Sequence, residues 1–342
     1  MTGEMGMQVA RLHGVADLRL SDEPVPVPGP GMSLVRVTAV GICGSDLHWW
    51  AEAGIGDAVL EHPLVPGHEA AGIIDGGPRR GERVAIDPAI ACGTCRPCRS
   101  GYRNLCTRIR FAGHGTHDGA MRNYLAWPSD LLHPLPDALT DADGAMLEPL
   151  GVAIHAADLA HLRLGGSAVV AGCGPIGLLL IQVLRAAGAA SVAAFDPLPH
   201  RREAASRLGA DLTADPAQAG TPADVRELTG DGVDVAFEMA GTDSGVQLAM
   251  AAARPGGRVV LGGIPGDDWT RFQASVARRK GLTIAMVRRM SETYPRAIRL
   301  AAASKIDLRS LVSNRFPLVK AQDAFGAAAR RSGLKVIIEP DS

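Results

Sequence analysis

The stretch Ala168-Val-Val-Ala-Gly-Cys-Gly-Pro-Ile-Gly177 sets a short apolar run directly before three closely spaced glycines. The run predicts a buried strand over residues 168–172, and residues 175–187 predict a helix. A glycine-rich turn between a strand and a helix is the context that a dinucleotide-binding fingerprint requires. In that interpretation Gly172 permits the tight turn, Gly174 lets the backbone approach a pyrophosphate, and Gly177 lets the helix pack closely on the strand.

Asp196 lies nineteen residues after Gly177, at the end of the next predicted strand. A carboxylate there accepts hydrogen bonds from the adenine ribose and repels a 2′-phosphate, so the sequence favours NAD. A nearby arginine can accommodate that phosphate, and Arg201 and Arg202 therefore keep NADP open as the alternative. The phosphates would lie at the helix N-terminus, where free N–H groups favour anions. The predicted cofactor residues are Gly172, Gly174, Pro175, Ile176, Gly177, Asp196 and Arg201.

Strands and helices alternate in the residues after this turn. The predicted strands cover residues 191–196, 233–238 and 258–262, and the predicted helices cover 201–208 and 244–253. Such an alternation is typical of a doubly wound parallel sheet with helices on both faces. We therefore predict an α/β fold for this part of the chain.

The residues before about 135 show a different pattern of apolar residues. Short apolar runs at 34–40, 70–74 and 83–86 are separated by proline and glycine, which predicts a β-rich domain with long loops. Thr140 is a predicted helix start, and residues 144–160 are a predicted helix with a bend at Pro149. Near the C-terminus we predict helices at 294–303 and 320–329 and a last strand at 335–338.

Length and charge narrow the class of protein. A chain of 342 residues exceeds the usual size of one core, so two domains are expected. Its 35 basic and 36 acidic residues leave a net charge of -1 without a long basic block, which argues against nucleic acid as a partner. The basic run at residues 278–280 is interpreted as a solvated helix end.

The expected compartment decides how the cysteines are interpreted. The first residues lack the layout of a signal peptide, and glycines and a proline interrupt the most apolar segment, residues 168–184. We therefore expect a cytoplasmic protein with no membrane partner and with reduced thiols. Clustered cysteines in such a protein are first candidates for metal ligands.

Four cysteines lie in one short loop. Cys92, Cys95, Cys98 and Cys106 are separated by two, two and seven residues, close enough to surround one tetrahedral ion. Four thiolates close the coordination sphere of zinc, which indicates a structural site. Disulfides are the alternative, but they need an oxidising compartment.

A second set of potential ligands stands apart from that loop. Cys43, His68 and Glu69 offer a thiolate, an imidazole and a carboxylate, and three protein ligands leave a position open for water or substrate. Asp46 is suited to orient the imidazole of His68. Singly, a buried cysteine is usually a small apolar residue and a lone histidine is more often structural. Cys173 is interpreted in that way, as a buried residue without chemistry.

Together these residues closely resemble the zinc-containing medium-chain dehydrogenase/reductase family, in particular its polyol branch of sorbitol, xylitol and L-idonate dehydrogenases. The resemblance runs through nearly the whole chain. It is carried by Gly41-Ile-Cys-Gly-Ser-Asp-Leu-His48, Gly67-His-Glu-Ala-Ala-Gly72, the four-cysteine loop, Leu147-Glu-Pro-Leu150, Val152-Ala-Ile-His-Ala156, the glycine fingerprint and Asn314-Arg-Phe-Pro-Leu318.

The resemblance implies a GroES-like catalytic domain built from both chain ends, with a Rossmann domain inserted and the active site in the cleft. We accordingly assign residues 1–150 to the N-terminal part of the catalytic domain, 151–286 to the Rossmann domain and 287–342 to the part that completes the catalytic domain. We also expect a homotetramer, with a homodimer as the alternative.

The resemblance further implies individual roles. Cys43, His68 and Glu69 are the expected catalytic zinc ligands, with Glu148 as an alternate or water-mediated ligand. Ser45 and His48 match positions that relay the alcohol proton outward. Two further matches concern the substrate: Arg288 matches an arginine that contacts polyol hydroxyls, and Arg289 stands where sorbitol dehydrogenases carry a tyrosine, which argues against sorbitol itself.

The resulting hypothesis is an enzyme with two zinc ions per chain that oxidises a secondary alcohol of a polyol or sugar acid with NAD. An amino-alcohol or aminocyclitol dehydrogenase is the alternative within the enzyme class. A dinucleotide-binding relative that has lost catalysis is the alternative outside it. The presence of Cys43, Ser45, His48, His68, Glu69 and Glu148 together favours the enzyme.

Overall fold

The computed structural model describes residues 6–218 and 221–341 of the chain. The described residues within the following bounds form two compact units: the first lies within Met1–Glu148, Tyr294–Ala303 and Leu308–Ser342, and the second within Pro149–Thr293 and Ser304–Asp307. The second unit thus includes residues 287–293 and 304–307, which the division from sequence assigns to the C-terminal part. Residues 1–5, 219–220 and 342, which that division also assigns, lie outside the described residues.

The strands and helices have the following bounds. The strands are β1 (Gly6–Gly14), β2 (Asp17–Pro24), β3 (Met32–Gly41), β4 (Gly54–Ile55), β5 (Ala58–Val59), β6 (Glu69–Ile74), β7 (Arg83–Ile86), β8 (Ala89–Ile90), β9 (Arg110–Phe111), β10 (Tyr124–Pro128), β11 (Leu132–Pro134), β12 (Ser167–Ala171), β13 (Ser191–Phe195), β14 (Leu212–Ala214), β15 (Val233–Glu238), β16 (Ala253–Leu261), β17 (Thr283–Met286), β18 (Val312–Pro317) and β19 (Lys335–Glu339). The α-helices are α1 (Gly44–Glu52), α2 (Arg96–Arg99), α3 (Asp141–Ala145), α4 (Leu147–Ala160), α5 (Pro175–Ala186), α6 (Pro199–Arg207), α7 (Thr221–Thr229), α8 (Asp243–Ala252), α9 (Ala274–Lys280), α10 (Tyr294–Ala302) and α11 (Ala321–Ala329).

The first unit is organised around β3, in a sheet of order β11-β7-β6-β3-β19-β18 to which β10 adds by pairing with β3. Alternation along β3 buries Val35 and Val37 in the core, as expected for a strand with one apolar face. Strand β6 runs antiparallel to β3 with Glu69 opposite Gly41, and β19 pairs with the same end of β3 through Ile337. The last strand of the chain therefore lies beside the end of β3 from which α1 begins.

The second unit contains a six-stranded parallel sheet of order β14-β13-β12-β15-β16-β17. Its central strand β12 is buried over Ala168–Ala171, and α5, α6, α8 and α9 contact the sheet. The α/β fold with a doubly wound parallel sheet is confirmed. Among the described residues, no helix combines the length and the apolar character needed to cross a bilayer.

One local prediction is wrong and another is wrong in part. The helical segment after Thr140 does not bend at Pro149; it breaks at Met146, between α3 and α4. Pro149 lies in the first turn of α4, where a missing N–H removes no helical hydrogen bond. The basic run does end α9 and Arg278 and Arg279 are exposed, but Lys280 is not simply solvated, because its Nζ donates to the carbonyls of Met250, Ala251 and Ala253 at 2.7–3.0 Å.

Candidate functional site

The fold of the first unit brings Cys43, His68 and Glu69 together. Cys43 caps the N-terminus of α1 just after β3, while His68 precedes β6 and Glu69 begins it. Because Glu69 is paired with Gly41 across the two strands, one ligand atom from each of the three residues lies within 4.8 Å of the other two. A soft thiolate, an imidazole nitrogen and a carboxylate oxygen form a donor set that suits zinc.

The carboxylate of Glu69 supports that fit. Its side chain is only 1% exposed, yet neither of its oxygens accepts a hydrogen bond of good geometry. Nζ of Lys335 makes an ion-pair contact with Oε2. A buried carboxylate with unsatisfied acceptor capacity is costly, and a cation bound between Glu69, His68 and Cys43 would satisfy it.

Asp46 holds the two ligand-bearing segments in register. Its Oδ2 accepts the backbone N–H of Cys43 at 2.9 Å, and its Oδ1 accepts that of Gly67 at 3.2 Å. The same Oδ1 lies 3.5 Å from Nδ1 of His68. Burial alone would lower the pKa of His68, but the charge of Asp46 raises it well above its usual value. The contact with Nδ1 also leaves Nε2 as the nitrogen that faces the candidate metal position.

The two predicted relay residues lie one turn apart on α1. Oγ of Ser45 is 3.5 Å from Nε2 of His68, next to the candidate metal position. Nδ1 of His48 is 3.2 Å from Oε1 of Glu52, whose side chain is exposed. Both residues are half-buried; Ser45 lies beside His68, and His48 contacts an exposed carboxylate.

Glu148 is buried in the first turn of α4. Its carboxyl has a pKa raised to about 7, chiefly because of burial. The charge of Glu69 also raises this pKa, while the charges of His68 and Lys335 oppose the increase. Glu148 therefore belongs to the same electrostatic environment as His68 and Glu69.

The four-cysteine loop is compact. Ligand atoms of Cys92, Cys95, Cys98 and Cys106 lie within 4.8 Å of one another, and all the cysteines of the chain are free thiols. Backbone N–H groups donate hydrogen bonds to the sulfur atoms. The N–H of Cys95 donates to Sγ of Cys92 at 3.4 Å, and the N–H of Cys92 donates to Sγ of Cys106 at 3.3 Å. Such bonds, led by one from Thr94, lower the pKa of Cys92 to about 5. This donor set fits a closed tetrahedral zinc site.

The glycine turn of the second unit has the geometry expected of the fingerprint. Gly172 has φ +100°, which disfavours a side chain, and a Cβ on Gly177 would lie 2.0 Å from the carbonyl oxygen of Gly172. Gly174 is the N-cap of α5 and Pro175 and Ile176 follow it, so no capping side chain covers the first-turn N–H groups. These groups are available to an anion such as a pyrophosphate.

Asp196 follows β13 beside this turn, but its carboxylate is already engaged. It accepts the backbone N–H groups of Cys173 and Leu198, both at 2.9 Å. Nη1 of Arg201 lies 3.8 Å from its Oδ2 and is the side-chain atom nearest to a Cβ built on Gly174, at 3.9 Å. Burial raises the pKa of the Cys173 thiol to about 12, in keeping with a residue that serves packing.

Arg288 and the zinc-ligand candidates belong to different units. Arg288 follows β17 in the second unit and is exposed, and Arg289 adopts a left-handed backbone with φ 55°. The ligand candidates Cys43, His68 and Glu69 belong to the first unit.

Lys335 is the residue at this site that the sequence interpretation missed. It begins β19, is 2% exposed, and its Nζ donates to the carbonyl of Ile42 at 3.0 Å. A lysine that opens the apolar run Val336-Ile337-Ile338 is a signal, because lysine is almost never fully buried without a partner. The sequence alone could not identify that partner, because Ile42 lies 293 residues from Lys335 along the chain.

Comparison with known proteins agrees with this arrangement. The family model of the alcohol dehydrogenase GroES-like domain matches residues 29–137, and that of the zinc-binding dehydrogenase domain matches residues 175–303. The sorbitol dehydrogenase of Gallus gallus is 37% identical over 340 residues, which cover 96% of this chain and 95% of that protein.

Two solved structures are similar over nearly the full length. L-idonate 5-dehydrogenase from Escherichia coli has a TM-score of 0.90 and 28% identity, with 98% of each chain covered. A putative zinc-binding dehydrogenase from Sinorhizobium meliloti, bound to NADP, has a TM-score of 0.89 and 30% identity, covering 98% of this chain and all of the other. By its domain matches and by its full-length likeness to a sorbitol dehydrogenase, this chain belongs to the zinc-containing medium-chain dehydrogenase/reductase family, within the polyol dehydrogenase branch.

Proposed function

We propose that this chain is an NAD-linked, zinc-dependent dehydrogenase that oxidises a secondary alcohol of a polyol or sugar acid to the ketone. The observation that carries the proposal is the convergence of Cys43, His68 and Glu69, with donor atoms within 4.8 Å, in a member of this family. The likeness to a sorbitol dehydrogenase and to an L-idonate dehydrogenase supports the substrate class.

We propose two zinc sites per chain. Cys43, His68 and Glu69 would hold the first, with Glu148 as an alternate or water-mediated ligand, and the four-cysteine loop would hold the second. Zinc at the first site would lower the pKa of the substrate hydroxyl.

The chain's own residues would then move the proton. Oγ of Ser45, which lies 3.5 Å from Nε2 of His68, would accept the proton of the substrate hydroxyl. His48, one turn further along α1, would pass it toward Glu52 and solvent. Asp46 would keep the imidazole of His68 in one orientation throughout, because it contacts Nδ1 and both ligand segments.

For the cofactor we propose NAD over NADP. The buried carboxylate of Asp196 stands beside the glycine turn and would repel a 2′-phosphate. Arg201 lies close enough to Asp196 for the two charges to offset each other, which limits its attraction for that phosphate. Because one structural neighbour binds NADP, the two cofactors need a direct comparison.

Arg288 is proposed to anchor a hydroxyl or carboxylate of the substrate, since its guanidinium offers several donors in a rigid fork. The protein is further proposed to be a homotetramer, with a homodimer as the alternative. The edge strand β17 supports self-association because it exposes Ile284 and Met286. A reducing compartment such as the cytoplasm suits six free thiols.

The test is a screen of the zinc-loaded protein for NADH formation with sorbitol, xylitol, L-idonate, amino alcohols and 2-butanol. We expect turnover of at least one polyol or sugar acid, with a higher kcat/KM for NAD than for NADP. The Ser45→Ala variant is the matched control: it should bind zinc and NADH normally but turn over slowly, because the proton has lost its first acceptor. Failure of every alcohol to reduce either cofactor would contradict the proposal.

A further inference from the structure

Lys335 links the end of the chain to both segments that carry the candidate zinc ligands. Strand β19 runs beside β3, and the N–H of Ile42 donates to the carbonyl of Val336 at 3.0 Å. From the same strand, Nζ of Lys335 donates to the carbonyl of Ile42, the residue before Cys43. That Nζ also contacts Oε2 of Glu69, at the start of β6.

The space for this contact depends on a residue without a side chain. A Cβ built on Gly41 would lie 2.1 Å from Oε2 of Glu69 and 3.1 Å from Cε of Lys335. The ammonium and the carboxylate are therefore packed directly over the backbone of β3. Such a pair cannot rearrange freely, because the groups around it are buried.

The charges around Lys335 have one predominant sign. Its Nζ contacts the carboxylate of Glu69, and the thiol of Cys43 and the carboxyl of Glu148 also act electrostatically on its ammonium. The cation thus faces three groups that are anionic when ionised, two of which are candidate zinc ligands and one an alternate. A metal ion bound at Cys43, His68 and Glu69 would share the Glu69 carboxylate with this ammonium.

We infer that Lys335 is a positioning residue of the zinc site, whose ammonium competes with the metal ion for Glu69 and so weakens that carboxylate as a ligand. The inference rests on the proposed function, since it concerns the same site. A weaker carboxylate donates less charge to the metal, which leaves the ion a stronger Lewis acid toward an alcohol. Lys335 would in this way lower the affinity of the site for zinc and raise the reactivity of the bound ion.

Replacing Lys335 by methionine separates this role from a purely structural one. Without the ammonium, Glu69 is left buried and unpaired in the metal-free protein, which destabilises it. Zinc binding would then satisfy the free carboxylate, so the gain in thermal stability on adding zinc should be larger than in the wild type. A lysine with only a packing role would lower the Tm of the metal-free and zinc-loaded proteins alike.

The experiment measures zinc affinity at this site by competition with a chromophoric chelator, and the Tm with and without zinc, on the full chain. For Lys335→Met we expect zinc to bind about tenfold or more tightly, because a nearby positive charge is removed. Lys335→Arg keeps the charge and should bind zinc nearly as the wild type does. Unchanged affinity in Lys335→Met, or an equal effect of the arginine variant, would overturn the inference.

A double-mutant cycle with Glu69→Gln tests whether the effect passes through the carboxylate. We expect the effect of Lys335→Met on zinc affinity to shrink to near zero in the Glu69→Gln background. An equal effect in both backgrounds would overturn the inference. If Lys335→Met does not fold, the double variant should fold, because it removes both buried charges. If the double variant also fails to fold, Lys335 is needed for folding itself, which would overturn the inference.

The failure of the inference is distinguishable from that of the proposed function. If the wild type binds zinc only at the four-cysteine loop, the proposed catalytic site is wrong and the role of Lys335 falls with it. If the wild type binds zinc at Cys43, His68 and Glu69 and Lys335→Met binds it equally well, only the inference is wrong.

Discussion

Single residues at the end of β3 decide how closely the candidate ligands approach one another. Asp46 accepts two backbone N–H groups, one from each ligand-bearing segment, and contacts the ring of His68. Gly41 allows the carboxylate of Glu69 to lie against the β3 backbone. The convergence of Cys43, His68 and Glu69 therefore depends on a shared acceptor and on an absent side chain.

Substituting Gly41 tests the close approach. We expect Gly41→Ala to lower the free energy of unfolding by about 1–3 kcal/mol, because the new Cβ would overlap the buried carboxylate of Glu69 and force it to move. Gly44→Ala is the matched control, since a Cβ at Gly44, at the start of α1, meets no atom within 4 Å. Denaturant unfolding of the two zinc-loaded variants checks this; equal stability would show that the carboxylate moves without cost.

The residues of the site differ in how well the sequence predicts them. The spacing of Cys92, Cys95, Cys98 and Cys106 already predicts a cluster, because a short loop can bring them together. Cys43 and His68 are 25 positions apart, so their meeting depends on the pairing of β3 with β6. Lys335 could not be assigned at all, because the pairing of β19 with β3 joins the two ends of the chain.

Elements formed by local rules are the ones that the sequence predicts well. The prediction of β12, the glycine turn and α5 is close to the observed bounds, because the apolar run, the glycines and Pro175 act within a few residues. The predicted bend at Pro149 is wrong, because proline fits the first turn of α4 without breaking a helical hydrogen bond; the break lies between α3 and α4. Strand β17 was not predicted, because its four residues are too few to show a periodic pattern, and it is defined by its pairing with β16.

One contact between elements should respond to pH. His133 on β11 stacks on Tyr294 of α10, with ring centroids 4.5 Å apart and planes 7° from parallel. Tyr294 in turn donates its hydroxyl proton to the carbonyl of Ile86 at 2.7 Å. Burial and the charge of Arg79 lower the pKa of His133 below 6.5, against a smaller opposite effect of Asp130. The folded protein therefore favours the neutral imidazole.

The sign of the pH effect follows from this lowered pKa. The stability that the neutral ring contributes is fully present above pH 6.5 and is lost as the pH falls through the lower folded pKa. We expect His133→Phe, which keeps an aromatic ring for the stack, to gain Tm relative to the wild type as the pH falls from about 7 to about 5. Thermal unfolding across this range checks it, and a difference that stays constant with pH would contradict the account.

At the scale of the whole molecule, each unit carries its own site. The first unit, which combines residues from both chain ends, holds the two candidate zinc sites, and the second unit holds the glycine turn with Asp196 and Arg201. The fold class was predictable because strand–helix alternation is a local pattern repeated many times. The return of β18, β19, α10 and α11 to the first unit was expected only from the family resemblance, because nothing in their local sequence specifies which unit they join.

Metal analysis of gently purified protein tests whether Cys43, His68 and Glu69 form a zinc site distinct from the four-cysteine loop. We expect two zinc ions per chain in the wild type. Cys43→Ala should keep only the zinc ion of the four-cysteine loop, and should remain folded but inactive. Cys98→Ala should lose the zinc ion of the four-cysteine loop and, with it, stability. A wild type with one zinc ion or none, or a Cys43→Ala variant that keeps both ions and its activity, would contradict the account.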